Sequence, residues 1–279
     1  MRGADTLALA LRVLTRGLMS SEFRRQGARL ADSKRINHAL FGAYYEEDIY
    51  DKACGAWPLA ARALWWRIPP AVRARNLIFV HVPRVAGTSI VRALYGEGCI
   101  HHYSMRYYRA VHPGFAQGTA SFALLRDPLD RFASAYAFVL AGGTESSRLS
   151  DVFAQATKGV RTVDDYLGFL EGRGPFELDF VMRPQSWFVC DGVTGAPLVK
   201  NLFILGEDGA ALADYLAPQN IGPLPWLNRA PRAALVLNAR QRRRIERLYA
   251  DDFALIDSVR SARWQRAEDR FRVAAIAAE

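Results

Sequence analysis

The chain is short of lysine and cysteine and has no long apolar run, and each shortage excludes something. Only Lys34, Lys52, Lys158 and Lys200 occur among 37 basic residues, so the positive charge is almost entirely guanidinium. Arginine holds its charge in any protein setting and offers a planar fork of donors suited to phosphate. The three cysteines, Cys54, Cys99 and Cys190, are scattered, with no close His/Cys quartet. A zinc centre is therefore not expected, and the odd number points to a reducing compartment rather than a disulfide framework. No segment approaches the ~20 apolar residues of a transmembrane helix. The apolar stretch from Leu7 to Met19 is interrupted by Arg12 and Arg16, which disfavours a signal peptide. It could instead lie as an amphipathic helix on a partner or a membrane surface, with local packing the preferred reading. The phosphate loop of nucleotide hydrolases, G-x-x-x-x-G-K-[ST], is also missing, which disfavours an ordinary ATPase.

With 279 residues and 51% hydrophobic composition, the chain can bury one substantial core. A formal net charge of +9 and a pI near 9.7 favour anionic ligands of small or polymeric kind. Much of the excess sits at Arg240, Arg242, Arg243, Arg244 and Arg247, on a helix predicted from Asn238 to Val259. Ile245, Leu248, Phe253 and Ile256 give that helix an apolar face, so the arginine run reads as a solvated face before it reads as a nucleic-acid stripe.

Two strand-turn-helix segments carry the chemistry. In the first, Leu77 to Val82 forms an apolar strand that runs through Pro83, Arg84, Val85, Ala86 and Gly87 into a helix beginning near Thr88 and Ser89. A small-residue turn leaves backbone N–H groups pointing at an anion, and the helix adds its own orphan donors and positive dipole end. In the second, Ser121 to Leu125 is a buried strand, Asp127 can cap a helix with Pro128 at its first position, and Leu129, Phe132, Ala133 and Tyr136 recur at helical spacing. Arg126 at the strand end and Ser134 on the helix could converge on a second anion at the carboxyl edge of a sheet. A plain salt bridge from Arg126 to Asp127 or Asp130 is the competing structural use.

Together these segments resemble the carbohydrate-type sulfotransferases that use 3'-phosphoadenosine 5'-phosphosulfate (PAPS), in their bacterial branch. His81, Pro83, Gly87, Thr88 and Ser89 match that family's H-[IV]-P-K-T-G-G-T-S motif. Arg126, Asp127, Pro128, Arg131, Phe132, Ser134 and Tyr136 match its R-[DN]-P-x-x-R-[FL]-x-S-x-Y motif. Weaker echoes follow in order: Arg183-Pro184-Gln185-Ser186, Leu224 to Arg229, and Tyr249 to Phe253. The resemblance implies an α/β, P-loop-like three-layer fold with a central parallel sheet flanked by helices. It implies that Arg84, Val85, Ala86, Gly87, Thr88 and Ser89 wrap the 5'-phosphosulfate and that Arg126 and Ser134 hold the 3'-phosphate. PAPS would be the donor, no metal would be needed, and a hydroxyl of a carbohydrate or glycoconjugate would be the acceptor.

The departures fall in the first motif. Arg84 stands where the family has Lys, keeping the charge but placing its protons differently. Val85 withholds a hydroxyl that could touch the donor, and Ala86 suits its place only if it avoids positive φ.

Sulfuryl transfer to an alcohol needs a base for the hydroxyl proton, and neutral histidine serves at physiological pH. His81 belongs to the first motif and His38 lies far from both, which leaves His101, His102 and His112. His101 to Arg106 resembles the family's K-H-x-[TS]-[AM]-R element, whose His is the proposed base, so the match selects His102, with His101 at the Lys position. Arg84 would meet the charge building on the leaving phosphate.

Residues 1–74 are expected as a helical N-terminal extension packed on the core, with the sulfotransferase domain at 75–279 and Pro69-Pro70 at the boundary. Tyr44, Tyr45, Trp57, Trp65 and Trp66 read as core packing before they read as an acceptor groove. Val163 to Leu170 reads as a helix, Asn201 to Leu205 as a strand, and Gly142 to Ser150 as the mobile loop. The expected location is the cytoplasm of a bacterium. A PAPS-binding protein with weakened chemistry and a basic nucleic-acid-binding protein are the two alternatives.

Overall fold

The structure, a computed structural model, describes residues 27–56, 68–96, 101–144, 147–221 and 235–262. It is a mixed α/β fold in which helices flank a small three-stranded sheet. Strand β1 (Leu77–Val80) and strand β2 (Ala120–Leu125) run parallel, with Leu77 opposite Ala120 and Val80 opposite Ala123. Two residues of each, Gly143–Thr144 (β3) and Ser147–Arg148 (β4), form a separate antiparallel hairpin. Strand β5 (Asn201–Ile204) pairs parallel with β2, giving the order β1-β2-β5. All of β1 and all but the first residue of β2 are buried, as expected of parallel strands covered on both faces.

Short connections after β1 and β2 lead directly into helices, α1 (Gly87–Tyr95) and α2 (Pro128–Leu140). In α1, Ile90, Val91 and Leu94 face the core; in α2, Phe132, Ala135, Tyr136 and Val139 do so at helical spacing. Asp127 caps α2 as predicted, its Oδ1 accepting from the backbone N–H of Leu129 (3.0 Å) and Asp130 (3.1 Å), with Pro128 at the first position. Helix α3 (Val163–Leu170) begins with a capping box from Thr162 and Asp165.

Four sequence expectations change in detail. The first strand ends at Val80, because Val82 turns back to the Val80 carbonyl (3.1 Å) and leaves the ladder. Pro70, expected only to mark a boundary, opens a short helix, Pro70–Arg75, where its missing N–H costs nothing. Within the expected loop Gly142 to Ser150, Gly142 and Gly143 have positive φ, Gly143–Thr144 pairs with Ser147–Arg148 as the β3-β4 hairpin, and Leu149 is buried. The basic helix is two helices, Ala239–Leu248 and 250–262, parted at Tyr249. Tyr249 leaves helical geometry (φ −119°, ψ 30°) and buries its ring, and its hydroxyl donates to the Met182 carbonyl at 2.7 Å. Along that first helix Arg240, Arg242, Arg243 and Arg247 are exposed, while Arg244 bridges Asp164 (2.6 Å) and Glu171 (2.7 Å).

Residues 27–56 form the helices Gly27–Phe41 and Glu46–Ala56, which pack against the rest. Asp48 makes a buried two-pronged ion pair with Arg183 (2.5 and 2.7 Å), and Asp51 pairs with Arg106 (3.0 Å). Tyr45 stacks on Phe180 with centroids 4.1 Å apart and donates its hydroxyl proton to Asp179. Leu7 to Met19, Trp57, Trp65, Trp66, Cys99 and Leu224 to Arg229 lie outside the described residues. Among the described residues no helix is long and apolar enough to cross a membrane, and no group of three His, Cys, Asp or Glu could hold a metal ion.

Candidate active site

Because β1 and β2 are parallel neighbours, their carboxyl ends deliver the two motif turns side by side, the edge at which α/β sheets bind ligands. The first turn is strained in a particular way. Arg84 (φ 70°) and Ala86 (φ 64°) both occupy the left-handed region, and they are two of the four non-glycine residues there among those described. The condition set for Ala86, that it avoid positive φ, is therefore not met: Ala86 is the left-handed N-cap of α1, and no side chain caps the helix. Left-handed residues spaced by one aim successive backbone N–H groups into a common concavity, an arrangement that binds anions. Backbone strain of this sort is stored where surrounding structure enforces it.

Val85, between the two left-handed residues, is fully buried in the core. Gly87 is buried at the helix start, and Thr88 and Ser89 are half-buried in its first turn.

The two motifs meet through side chains. Arg84 donates from Nε and Nη2, each at 3.1 Å, to Oγ of Ser134, 50 residues away, and its guanidinium lies 4.8 Å from the Phe138 ring centroid. Ser134 therefore accepts twice from the one guanidinium. Arg126, half-buried at the end of β2, approaches Asp130 only at 3.8 Å, and Asp130 is 69% exposed, so that ion pair is weak.

Both turns are held from beneath by residues whose roles sequence reading missed. Arg131, 2% exposed, donates from Nε to the Pro83 carbonyl at 3.1 Å, clamping the first turn from the second motif's helix. Gln185 accepts from the Arg126 N–H and donates to the Arg126 carbonyl, both at 2.8 Å, and so extends β2 by one side-chain rung. Asp252 in turn accepts from the backbone N–H of Gln185 and Ser186, both at 2.8 Å. Its carboxyl is buried, which raises its pKa, while nearby Arg131 pulls the other way. The order of these residues along the chain was visible, but not that Gln185 serves as backbone.

His102 precedes the helix Met105–Val111, which Ser104 caps by accepting from Tyr107 N–H. Its Nδ1 lies 2.9 Å from the His81 carbonyl, which can only accept, so Nδ1 carries the proton and Nε2 keeps a lone pair. Its ring packs against His81 (4.4 Å) and Phe180 (5.3 Å). Burial lowers the pKa of His102, against the opposing pull of the His81 carbonyl and of Glu47 and Asp179. The ring is therefore held neutral and ready to accept a proton at Nε2. His101 instead faces Glu47 at 3.9 Å and stacks on Tyr103. His112 caps the helix Pro113–Gly118, accepting from Phe115 N–H at 3.2 Å, and is thereby used structurally.

Fold and site together define an α/β protein in which two strand-turn-helix turns meet at one sheet edge, with the His102 imidazole packed against His81 after the first strand. Comparison with protein-family models, curated proteins and solved structures finds no match for the chain.

Proposed function

We propose that this chain is a PAPS-dependent sulfotransferase of the P-loop-like, carbohydrate-acting type, transferring a sulfuryl group to a hydroxyl of a carbohydrate or glycoconjugate. The observation that carries the reading is the contact between the two motif turns: Arg84 bonded to Ser134 across 50 residues, beneath a left-handed, uncapped helix entrance. Two anion-binding elements so joined suit a donor with two phosphate positions. Arg126 and Ser134 would hold the 3'-phosphate, and residues Arg84 to Ser89 the 5'-phosphosulfate.

In the reaction, Nε2 of His102 takes the acceptor's hydroxyl proton as that oxygen attacks sulfur. The bond from sulfur to the 5'-phosphate oxygen breaks, and its electron pair leaves on 3'-phosphoadenosine 5'-phosphate. Arg84 and the turn's N–H groups meet that charge; losing one such donor typically costs ~10²–10³ in rate.

Calorimetry with 3'-phosphoadenosine 5'-phosphate against adenosine 5'-monophosphate, at low and moderate salt, tests the donor site. A clear preference for the bisphosphate is expected, and Arg126→Ala should erase most of it, about 1.5–3 kcal/mol for a charge-assisted hydrogen bond. Labelled sulfuryl transfer to hydroxyl acceptors then tests turnover, which His102→Ala should cut with nucleotide affinity kept. Equal, salt-labile binding of both nucleotides would refute the reading and turn attention to the exposed Arg240, Arg243 and Arg247 as a polyanion surface.

A further inference from the structure

Resting on the donor-site reading, we infer that His81 is itself a ligand-contacting residue whose Nε2–H donates to an oxygen of the phosphate held by residues Arg84 to Ser89. His81 is 4% exposed, and its Nδ1 is buried without a hydrogen-bond partner. An unpaired buried nitrogen is costly, so an apolar ring would be the more stable occupant of this site unless the other nitrogen is used.

That other nitrogen lies against the cradle. A Cβ placed on Gly87 would sit 2.3 Å from Cδ2 of His81 and 2.8 Å from its Nε2. Gly87 is the first residue of α1, directly after the left-handed Ala86, and its own φ is not positive. The glycine therefore makes room for the imidazole rather than permitting a turn. The Nε2 edge of His81 thus reaches the foot of the helix entrance whose N–H groups form the cradle.

The rest of the ring is fixed. Phe79 packs on it with centroids 5.9 Å apart, the His102 ring packs at a tilt at 4.4 Å, and the His81 carbonyl holds the His102 Nδ1–H at 2.9 Å. Burial, together with the neighbouring His102, holds the imidazole neutral. A neutral ring has one N–H. With Nδ1 enclosed among groups that offer it no partner, the proton belongs on Nε2, where an anionic oxygen can accept it. His81 then touches the donor on one side and supports the base on the other, which ties donor binding to the placement of His102.

The test is ¹⁵N NMR of the full chain with labelled histidine, titrated with 3'-phosphoadenosine 5'-phosphate. The His81 signal is assigned by its loss in His81→Phe or, if that variant does not fold, by replacing the other four histidines singly. An Nε2–H tautomer is expected whose signals shift on titration. In calorimetry His81→Phe should bind the bisphosphate about ten- to a hundredfold more weakly with an unchanged or higher Tm, while His81→Gln, with an amide N–H near the Nε2 position, should keep most of the affinity. An Nδ1–H tautomer indifferent to the nucleotide, or undiminished binding by a folded His81→Phe, overturns the inference and leaves the donor reading standing. No bisphosphate preference in the wild type would instead sink the donor reading, and the His81 contact with it.

Discussion

Replacing Gly87 by alanine puts one methyl group into a space already filled by His81. The Cβ would lie 2.3 Å from the His81 Cδ2, 2.8 Å from Nε2 and 3.2 Å from the Phe79 Cζ. Carbon atoms pack at about 3.5–4.0 Å, so the closest contact is short by more than an ångström. The imidazole has nowhere to retreat, being 4% exposed and packed between Phe79 and His102. Overpacking of a core by a methyl group costs about 1–3 kcal/mol, occasionally more. Alanine's better helix propensity returns about 1 kcal/mol at most, and less at a first helical position. An overlap of more than an ångström puts the cost near the top of that range, so net destabilisation of roughly 2 kcal/mol is expected, since the backbone here cannot shift without moving the strained turn. Urea unfolding would show it as a lower midpoint at unchanged slope. The double variant Gly87→Ala, His81→Ala isolates the cause: with the ring gone the methyl group has room, so the two changes should couple by about 1–3 kcal/mol. Gly87→Ala within about 0.5 kcal/mol of wild type, or strict additivity with His81→Ala, would refute the packing reasoning.

Three further outcomes are expected. The pKa values of His81 and His102 are both lowered from 6.5 by burial, so below that pH the unfolded chain takes up protons that the folded one refuses. Stability is then greatest above pH 6.5 and falls as pH drops towards the folded values, by at most about 1.4 kcal/mol per pH unit for each ring. Urea unfolding at pH 7 and pH 5 should show the loss, smaller in His81→Phe, and an equal loss in both proteins would contradict it. Asp48→Ala, which strands the fully buried Arg183 guanidinium, should cost about 3–5 kcal/mol in the same assay, and a loss under 1 kcal/mol would show that water reaches the pair. Ala86→Gly should relieve a left-handed alanine and raise stability by up to about 1 kcal/mol, whereas destabilisation would mean that the turn is not strained there.

The sequence by itself determined the local elements that position the site. Both strand-turn-helix units, the Asp127 cap with Pro128 after it, the helix at Val163–Leu170 and the strand at Asn201–Ile204 follow from periodicity and capping chemistry, which act within a few residues. The same local reading failed where a distant contact decides the backbone. Tyr249 breaks the basic helix in order to bury its ring and bond Met182, 67 residues away, and the Arg84 to Ser89 turn accepts two left-handed residues because Arg131 and Ser134 hold it from the neighbouring helix. Only tertiary structure could decide the chemistry of the side chains. The proton on His102 is assigned by a carbonyl 21 residues earlier, Arg126 is fixed by an amide 59 residues later, and the space that Gly87 leaves is filled by a ring from the residue just past the preceding strand. Capping and periodicity are properties of a segment; tautomers, clamps and filled space arise only when parallel strands bring separate segments to one edge.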